Sequence, residues 1–350
     1  MARTILIAKA HRMLNFLRSR WFLITLLSLI TCGLAVGYHN TAAAVKSIQN
    51  VIRSGVITPI VLFLMAFSLD SSQLRASFRR PAPVLWACLI NMGLIPLLGW
   101  SLIGVQVADH FRIGVMIAAA VPCTVAAASV CTRRAAGNDA ISLLTTLLTN
   151  GLCFLTTPIW LQLATGQKVN LDSTALAQDL ALTVLIPSLL GQIARIPKPA
   201  ASFAKVRKPM LGVIAQSGIL LLVFVSACKA GNELRVSNVS REIFGLAVAW
   251  LSCISLHSVG LAIANHGGHI FGFAPSDRIA AAFAGSQKTL PVGVFLASSP
   301  AFAAIPFAVF PMLMFHASQL VIDTLVADRF AKRDDDMTDK KIDSVQKAAN

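Results

Sequence analysis

The chain has 350 residues, 56% of them hydrophobic and 13% charged, with seven cysteines and a formal net charge of +15. Soluble globular chains carry about 25% charged residues, so the composition excludes a soluble domain and describes an integral membrane protein. Apolar windows of about 18 residues or more, long enough to cross a hydrocarbon core of about 30 Å as a helix, recur along the chain, and the short alternating segments of an outer-membrane barrel are missing.

The N-terminal stretch MARTILIAKAHRMLNFLRSR is basic and leads into WFLITLLSLITCGLAVGY without a small-residue cleavage site. This run reads as a first helix rather than a removed leader. Ten spans follow from the apolar runs, near 21–38, 51–69, 82–105, 112–131 and 139–163, then 177–195, 209–228, 243–264, 278–298 and 302–328. Loop charges agree with that count. Arg75, Arg79 and Arg80, then Arg133 and Arg134, then Arg195, Lys198, Lys205, Arg207 and Lys208, and later Arg278, share one side with both basic termini. The other side holds Lys46, Arg53, Arg112, Lys168, Lys229, Arg235 and Arg241. Lys and Arg gather on the cytoplasmic side of membrane proteins, so both termini are expected in the cytoplasm. This use of the basic residues takes the place of a nucleic-acid role.

The spans divide evenly. A basic N-terminus (1–20) precedes one five-helix unit (21–163), a second unit (164–328) follows, and the tail 329–350 is expected to be a disordered cytoplasmic segment. The second unit begins on the opposite side of the membrane from the first, so the two are expected to be inverted repeats. FRIGVMIAAAVPCT (111–124) and DRIAAAFAGSQKT (277–289) carry a trace of that duplication: each passes from Arg-Ile through alanines into small polar residues. In inverted-repeat transporters, corresponding interrupted helices mark the binding site.

Both stretches predict broken helices. In span 4, Pro122 removes a backbone donor, and Thr124, Ala126, Ala127, Ala128 and Ser129 are small enough for close backbone approach. In span 9, AGSQKTLPVG (284–293) sets Ser286, Gln287, Lys288 and Thr289 ahead of Pro291, between apolar flanks. Lys288 is ten residues from Arg278 and ten from Ser298, too deep to snorkel with about 15 Å to either surface at 1.5 Å per residue. A lysine at a helix centre costs roughly 2.5–3.5 kcal/mol to insert. It must be paired with a carboxylate, stripped of its proton or facing water. The candidate partners are Asp139 in the GNDA turn, Asp179 at the start of span 6 and Asp323 in span 10, where His316, Gln319 and Asp323 share a face; none of the three is clearly central.

The cysteines lie in apolar segments without a CxxC pair and read as packing residues. NHGGH (265–269) reads as a Gly-rich loop after span 8, with two histidines and no third ligand. No nucleophile–base, zinc or P-loop motif is present, and no enzyme is expected.

PCTVAAASVCTRRAAGNDAIS (122–142) together with AGSQKTLPVG resembles the bile acid:sodium symporter superfamily, and more closely its orphan, SBF-like branch of sodium-dependent transporters, over roughly residues 20–330. The resemblance implies an all-α fold of ten helices, two inverted five-helix repeats, helices 4 and 9 interrupted and crossing, and a panel of spans 1, 2, 6 and 7 beside a core of spans 3–5 and 8–10. It implies two sodium sites. The first would use Ser129 with Ser142 and Thr146, whose i, i+4 spacing also puts them on one helix face; the second would use Asn91 and Gln287. Two departures stand out: Phe283 where sodium-coupled relatives carry an acid, and Lys288 where an asparagine is usual. A fixed ammonium beside those oxygens competes with sodium. Lys288, Ser286, Thr289 and Thr124 are therefore the candidate coupling or substrate residues.

The expected function is a secondary active transporter of an organic, anionic solute in a bacterial inner membrane, working by alternating access and coupled to sodium or protons without a further cofactor. A cation/proton antiporter is an alternative that needs a central carboxylate. A non-transporting regulator or scaffold that keeps the fold is the other.

Overall fold

The computed structural model describes residues 21–70, 81–165, 171–235, 239–302 and 305–349. The basic N-terminus and the loop with Arg75, Arg79 and Arg80 lie outside the described residues, as does Lys168. The described residues are helical apart from short connections, and no strand occurs among them.

In chain order the helices are α1 (Trp21–His39), α2 (Ala42–Val51) and α3 (Ser54–Ser68), then α4 (Pro81–Leu89), which passes through a π turn (Ile90–Leu94) into α5 (Ile95–Leu102). Next come α6 (Asp109–Ala120), α7 (Ala127–Arg134), α8 (Asp139–Thr165) and α9 (Ser173–Leu180), which passes through a second π turn (Ala181–Leu185) into α10 (Ile186–Ala194). The chain ends with α11 (Lys198–Val206), α12 (Lys208–Leu234), α13 (Val239–Ile270), α14 (Pro275–Ser286), α15 (Leu290–Ser298) and α16 (Phe310–Ala349). Both π turns precede an Ile-Pro pair, Pro96 and Pro187, because a proline cannot donate to the preceding turn and the helix widens to pass it.

Among the described residues, nine helical stretches are long and apolar enough to cross a membrane. The expected span at 112–131 is instead two short helices, α6 and α7, separated at residues 121–126. The expected span at 278–298 is likewise split, into α14 and α15 around Gln287–Thr289. Both breaks were predicted from Pro122 and Pro291.

One expectation is corrected. NHGGH is not a loop: it forms the end of α13, and its glycines serve packing, since a Cβ on Gly267 would stand 2.4 Å from the Trp86 ring. In the tail, α16 runs on to Ala349. The segment has no Gly or Pro, and extending an existing helix needs no new nucleus.

The helices pack in two groups. α1, α3, α10 and α12 lie against one another, while α4, α6, α8, α13, α14 and α16 surround the two breaks. α15 bridges the groups by packing on α3 and α12. All seven cysteines are free, and five of them are buried among apolar side chains.

Candidate functional site

A helix leaves its last carbonyls without intrahelical donors, and an interrupted helix does so in the middle of the protein. Here nearly every such carbonyl has a named donor. After α6, Ala120 O accepts from Thr157 Oγ1 at 2.9 Å, Val121 O from Lys288 Nζ at 3.0 Å and Pro122 O from Thr289 N at 2.9 Å. Cys123 O accepts from Asn150 Nδ2 at 2.8 Å, and Thr124 O from Thr146 Oγ1 at 3.5 Å. After α14, Asn91 Nδ2 faces Ala284 O, Gly285 O and Gln287 O at 3.3, 3.1 and 2.9 Å. Gln287 O lies in the break, outside both helices, and Asn91 supplies the donor that neither helix gives it.

Lys288 is fully buried. Its Nζ donates to Asn91 O at 2.6 Å and to Val121 O at 3.0 Å, with Asn91 Oδ1 at 3.4 Å. All three neighbours are acceptors. A protonated lysine has three N–H donors and no acceptor, so these three oxygens could hold it as they would a bound cation. Val121 caps the C-terminal end of α6, the negative end of its dipole. The main chain at Lys288 is fixed by Gln319, whose Oε1 accepts from Lys288 N at 2.9 Å and whose Nε2 donates to Lys288 O at 3.0 Å. Gln319 Nε2 also lies 2.7 Å from His316 Nδ1.

Among the described residues, no carboxylate pairs with Lys288. Asp139 instead pairs with Arg133 at 2.6 Å, and Asp179 is exposed. Asp323, which its place in span 10 left undecided, is central: it is fully buried, and its carboxylate meets Gln287 Nε2 at 2.6 Å and His257 Nε2 at 2.8 Å. His257 itself escaped the sequence reading. It sits alone in an apolar run, and only its depth in span 8 could have marked it.

The residues assigned by resemblance separate into two sets. Asn91, Gln287, Lys288 and Thr289 converge, but the Asn91 side-chain oxygen faces Lys288 and its nitrogen is committed to three carbonyls. Ser142 Oγ, Ser286 Oγ, Thr289 Oγ1 and Gln287 Oε1 are buried without a partner. Thr146 Oγ1 reaches Thr124 O and Cys123 Sγ, the latter at 3.5 Å. The Ser129 hydroxyl is engaged elsewhere, donating to Asp139 while Arg133 Nη1 donates to it at 2.6 Å.

Cavities follow the seam between the two helix groups. One of about 310 Å³ has four cationic linings, Arg133, Arg195, Lys205 and Lys208, with Asp70 and Asp139. Lys208 and Arg133 also line a narrower cavity of about 80 Å³ that shares Ala126, Val130 and Gln216 with a third of about 270 Å³, reaching Thr124 and His316. At the far end of α12, a cavity of about 400 Å³ is lined by Arg53, Lys229 and Ser226, and no acid occurs among its described lining residues. One face of α12 runs along all four, through Lys208, Gly212, Gln216, Ile219, Ser226 and Lys229.

Comparison with known proteins finds relatives over most of the chain. An uncharacterised protein of Pseudomonas aeruginosa is 28% identical over 263 residues, 72% of this chain and 76% of that protein. Sodium/bile acid cotransporter 7 of Rattus norvegicus is 22% identical over 325 residues, covering 90% of this chain and 93% of its own. A probable sodium/metabolite cotransporter of Arabidopsis thaliana, BASS4, is 27% identical over 240 residues, 65% and 54% of the two chains. Residues 20–332 match the SBF-like CPA transporter family, and the chain belongs to it.

Proposed function

We propose that this protein is a secondary active transporter that moves an organic anion by alternating access, with Lys288 as a tethered cation in place of a bound one. The observation that carries the reading is the Lys288 amino group, buried at the meeting of two helix breaks and surrounded by oxygens of Asn91 and Val121. A scaffold has no use for so costly a group. The relatives named as sodium/bile acid and sodium/metabolite cotransporters support an organic solute. The excess of cationic over acidic side chains in the cavities at both ends of the α12 seam supports a negative one.

In this reading the ten spans form two inverted five-helix units, both termini face the cytoplasm, and the membrane is a bacterial inner membrane. α1, α3, α10 and α12 form the static wall, and the helices around the breaks move against it. The coupling ion is sodium, as the relatives named as sodium cotransporters support, or the proton. The test is uptake of a panel of radiolabelled organic anions into proteoliposomes under an imposed proton gradient or an imposed sodium gradient. Uptake of at least one anion that falls at least tenfold in Lys288→Ala and in Gln287→Ala supports the proposal; equal flux in wild type and both variants overturns it in favour of a scaffold.

A second reading, cation/proton antiport, gains support from the central carboxylate of Asp323. Proton efflux from the same vesicles on addition of sodium or potassium, without any anion, distinguishes it.

A further inference from the structure

The buried His257–Asp323 pair does not enter the argument for Lys288, yet its geometry has a consequence. His257 Nε2 lies 2.8 Å from Asp323 Oδ1, and His257 Nδ1 lies 3.2 Å from Ser286 O. Both ring nitrogens therefore face oxygens, and neither side chain has any exposure to solvent. Ser286 O is a main-chain carbonyl and can only accept. A neutral imidazole has one N–H, and its other nitrogen is an acceptor. A neutral ring beside an ionised carboxylate would leave one of the two contacts as acceptor against acceptor, in a fully buried place where that is costly.

Two arrangements satisfy both contacts. In one, the ring is an imidazolium donating to Ser286 O and to the Asp323 carboxylate. In the other, the ring is the neutral Nδ1–H tautomer donating to Ser286 O, and Asp323 is protonated and donates its O–H to Nε2. The two differ only in which atom holds one proton. Both hold one proton more than neutral histidine with a carboxylate, and both have zero net charge.

We infer that His257 and Asp323 form a proton-binding site, distinct from Lys288, that is loaded with one exchangeable proton in this conformation. Gln287 ties the site to the break: its Nε2 donates to Asp323 Oδ2 at 2.6 Å, while its Oε1 is buried without a partner. Loss of the proton leaves a net negative charge beside that bare oxygen and the Ser286 hydroxyl, also unpartnered. The site would then attract a cation or pull the break into another arrangement.

Among the described residues, the groups facing the pair are few. Gln287 donates to Asp323 from the break, and the thiols of Cys123 and of Cys131 on α7 lie near Asp323. The ring edge of His257 packs on Phe315, with centroids 5.7 Å apart. Lys288 Nζ donates to Asn91 and Val121 instead, and Arg134 pairs with Asp328 of α16 at 2.6 Å. None of these groups offers His257 a second acceptor or Asp323 a second cation.

The inference does not depend on which solute is carried, or on transport at all. It is tested on the full chain in lipid bilayers by solid-state NMR with 15N-histidine and 13C-aspartate, and by infrared spectroscopy. Among the described residues His257 is the ring that contacts an aspartate carboxyl, so a histidine–aspartate correlation assigns it in the wild type without a variant. The expected result near neutral pH is either two protonated ring nitrogens or an Nδ1–H ring accompanied by an un-ionised carboxyl band that disappears in Asp323→Asn. On raising the pH, one proton per chain leaves the pair in the wild type and none leaves it in Asp323→Asn. A neutral Nε2–H ring beside an ionised Asp323 overturns the inference. His257→Gln should also abolish the release; should either variant fail to fold, the wild-type correlation alone decides.

Discussion

The main-chain N–H of Thr289 donates to the main-chain carbonyl of Pro122 at 2.9 Å. Two helix breaks far apart in sequence are thus bonded backbone to backbone, and the side chain of Lys288 crosses at the same place to reach Val121 O. Irregular backbone at this depth is tolerated only where protein or a lined cavity satisfies it. The crossing meets that demand with donors from Asn91, Asn150, Thr157, Lys288 and Gln319.

Asn91 is the most heavily used of these donors. Its two amide hydrogens serve three carbonyls of the α14 end, and its own oxygens hold Lys288. Asn91→Leu keeps the volume similar but strips those donors. A buried group left unpaired costs about 1–3 kcal/mol, so the variant should lose roughly 2–5 kcal/mol and show a clearly lower thermal midpoint in the same detergent. An unchanged midpoint would mean that the carbonyls find other partners.

Trp160 makes a related repair. Pro96 has no N–H, which leaves Met92 O without its helical donor, and the Trp160 indole donates to that oxygen at 2.8 Å. Trp160→Phe should cost about 1–3 kcal/mol for the bare carbonyl beyond any packing loss. With Pro96→Ala in the background, the helix can supply its own donor and Trp160→Phe should cost less. A double-mutant cycle by thermal or denaturant unfolding measures the difference. Coupling below about 0.5 kcal/mol, the scatter expected for independent sites, would refute the link.

How much of this was legible beforehand depends on the kind of signal. Pro122 and Pro291 announced both breaks, because a missing N–H is a property of the residue itself. Lys288 announced a special site, since no packing argument places an ammonium at mid-span. Asp323 was seen but not placed: helical spacing put it on a face with His316 and Gln319, yet depth depends on how α16 is set against α13. His257 gave no signal because its role arises only from the carbonyl of Ser286 and the carboxylate of Asp323, distant in sequence. Ser129 went to Arg133 and Asp139 for a comparable reason: i, i+4 proximity on α7 to an arginine outweighs a spacing rule drawn across two helices. The glycines of NHGGH look like a loop in composition, but their purpose is room for Trp86 and Arg278.

Close approach also governs the contact of α1 with α12. A Cβ on Gly37 would stand 1.9 Å from Cys228 O, and one on Gly231 would stand 2.1 Å from Leu34 O. Gly33 and Gly37, facing Ala227 and Gly231, form the small-residue pattern by which membrane helices bring their backbones together. Neither glycine can accept a methyl group unless the helices part, because the obstacle is backbone. Gly37→Ala and Gly231→Ala should each destabilise by roughly 1–3 kcal/mol, the usual cost of overpacking. Gly55, with nothing near its absent Cβ, is the control, and Gly55→Ala should leave the melting point within a degree or two of wild type. Equal behaviour of the three would contradict the packing described for α1 and α12.

Lys288 provides the sharpest test of the tethered-cation reading. In Lys288→Ala the oxygens Asn91 O, Asn91 Oδ1 and Val121 O lose their donor, and the variant should be less stable by about 1–3 kcal/mol for each oxygen left bare. The vacated space is lined by the same oxygens that held an ammonium, and a monovalent ion can occupy it. Sodium should therefore stabilise the variant and not the wild type. A ligand present at 100 times its dissociation constant adds about 2.7 kcal/mol, enough to move the midpoint by several degrees. The measurement is thermal unfolding of purified wild type and Lys288→Ala in sodium chloride against potassium or choline chloride at one ionic strength. A sodium-specific rise confined to the variant identifies the lysine as occupant of a cation site. The same rise in both proteins would place any sodium elsewhere, and its absence from both would mean that the three oxygens hold an ammonium but do not form a sodium site.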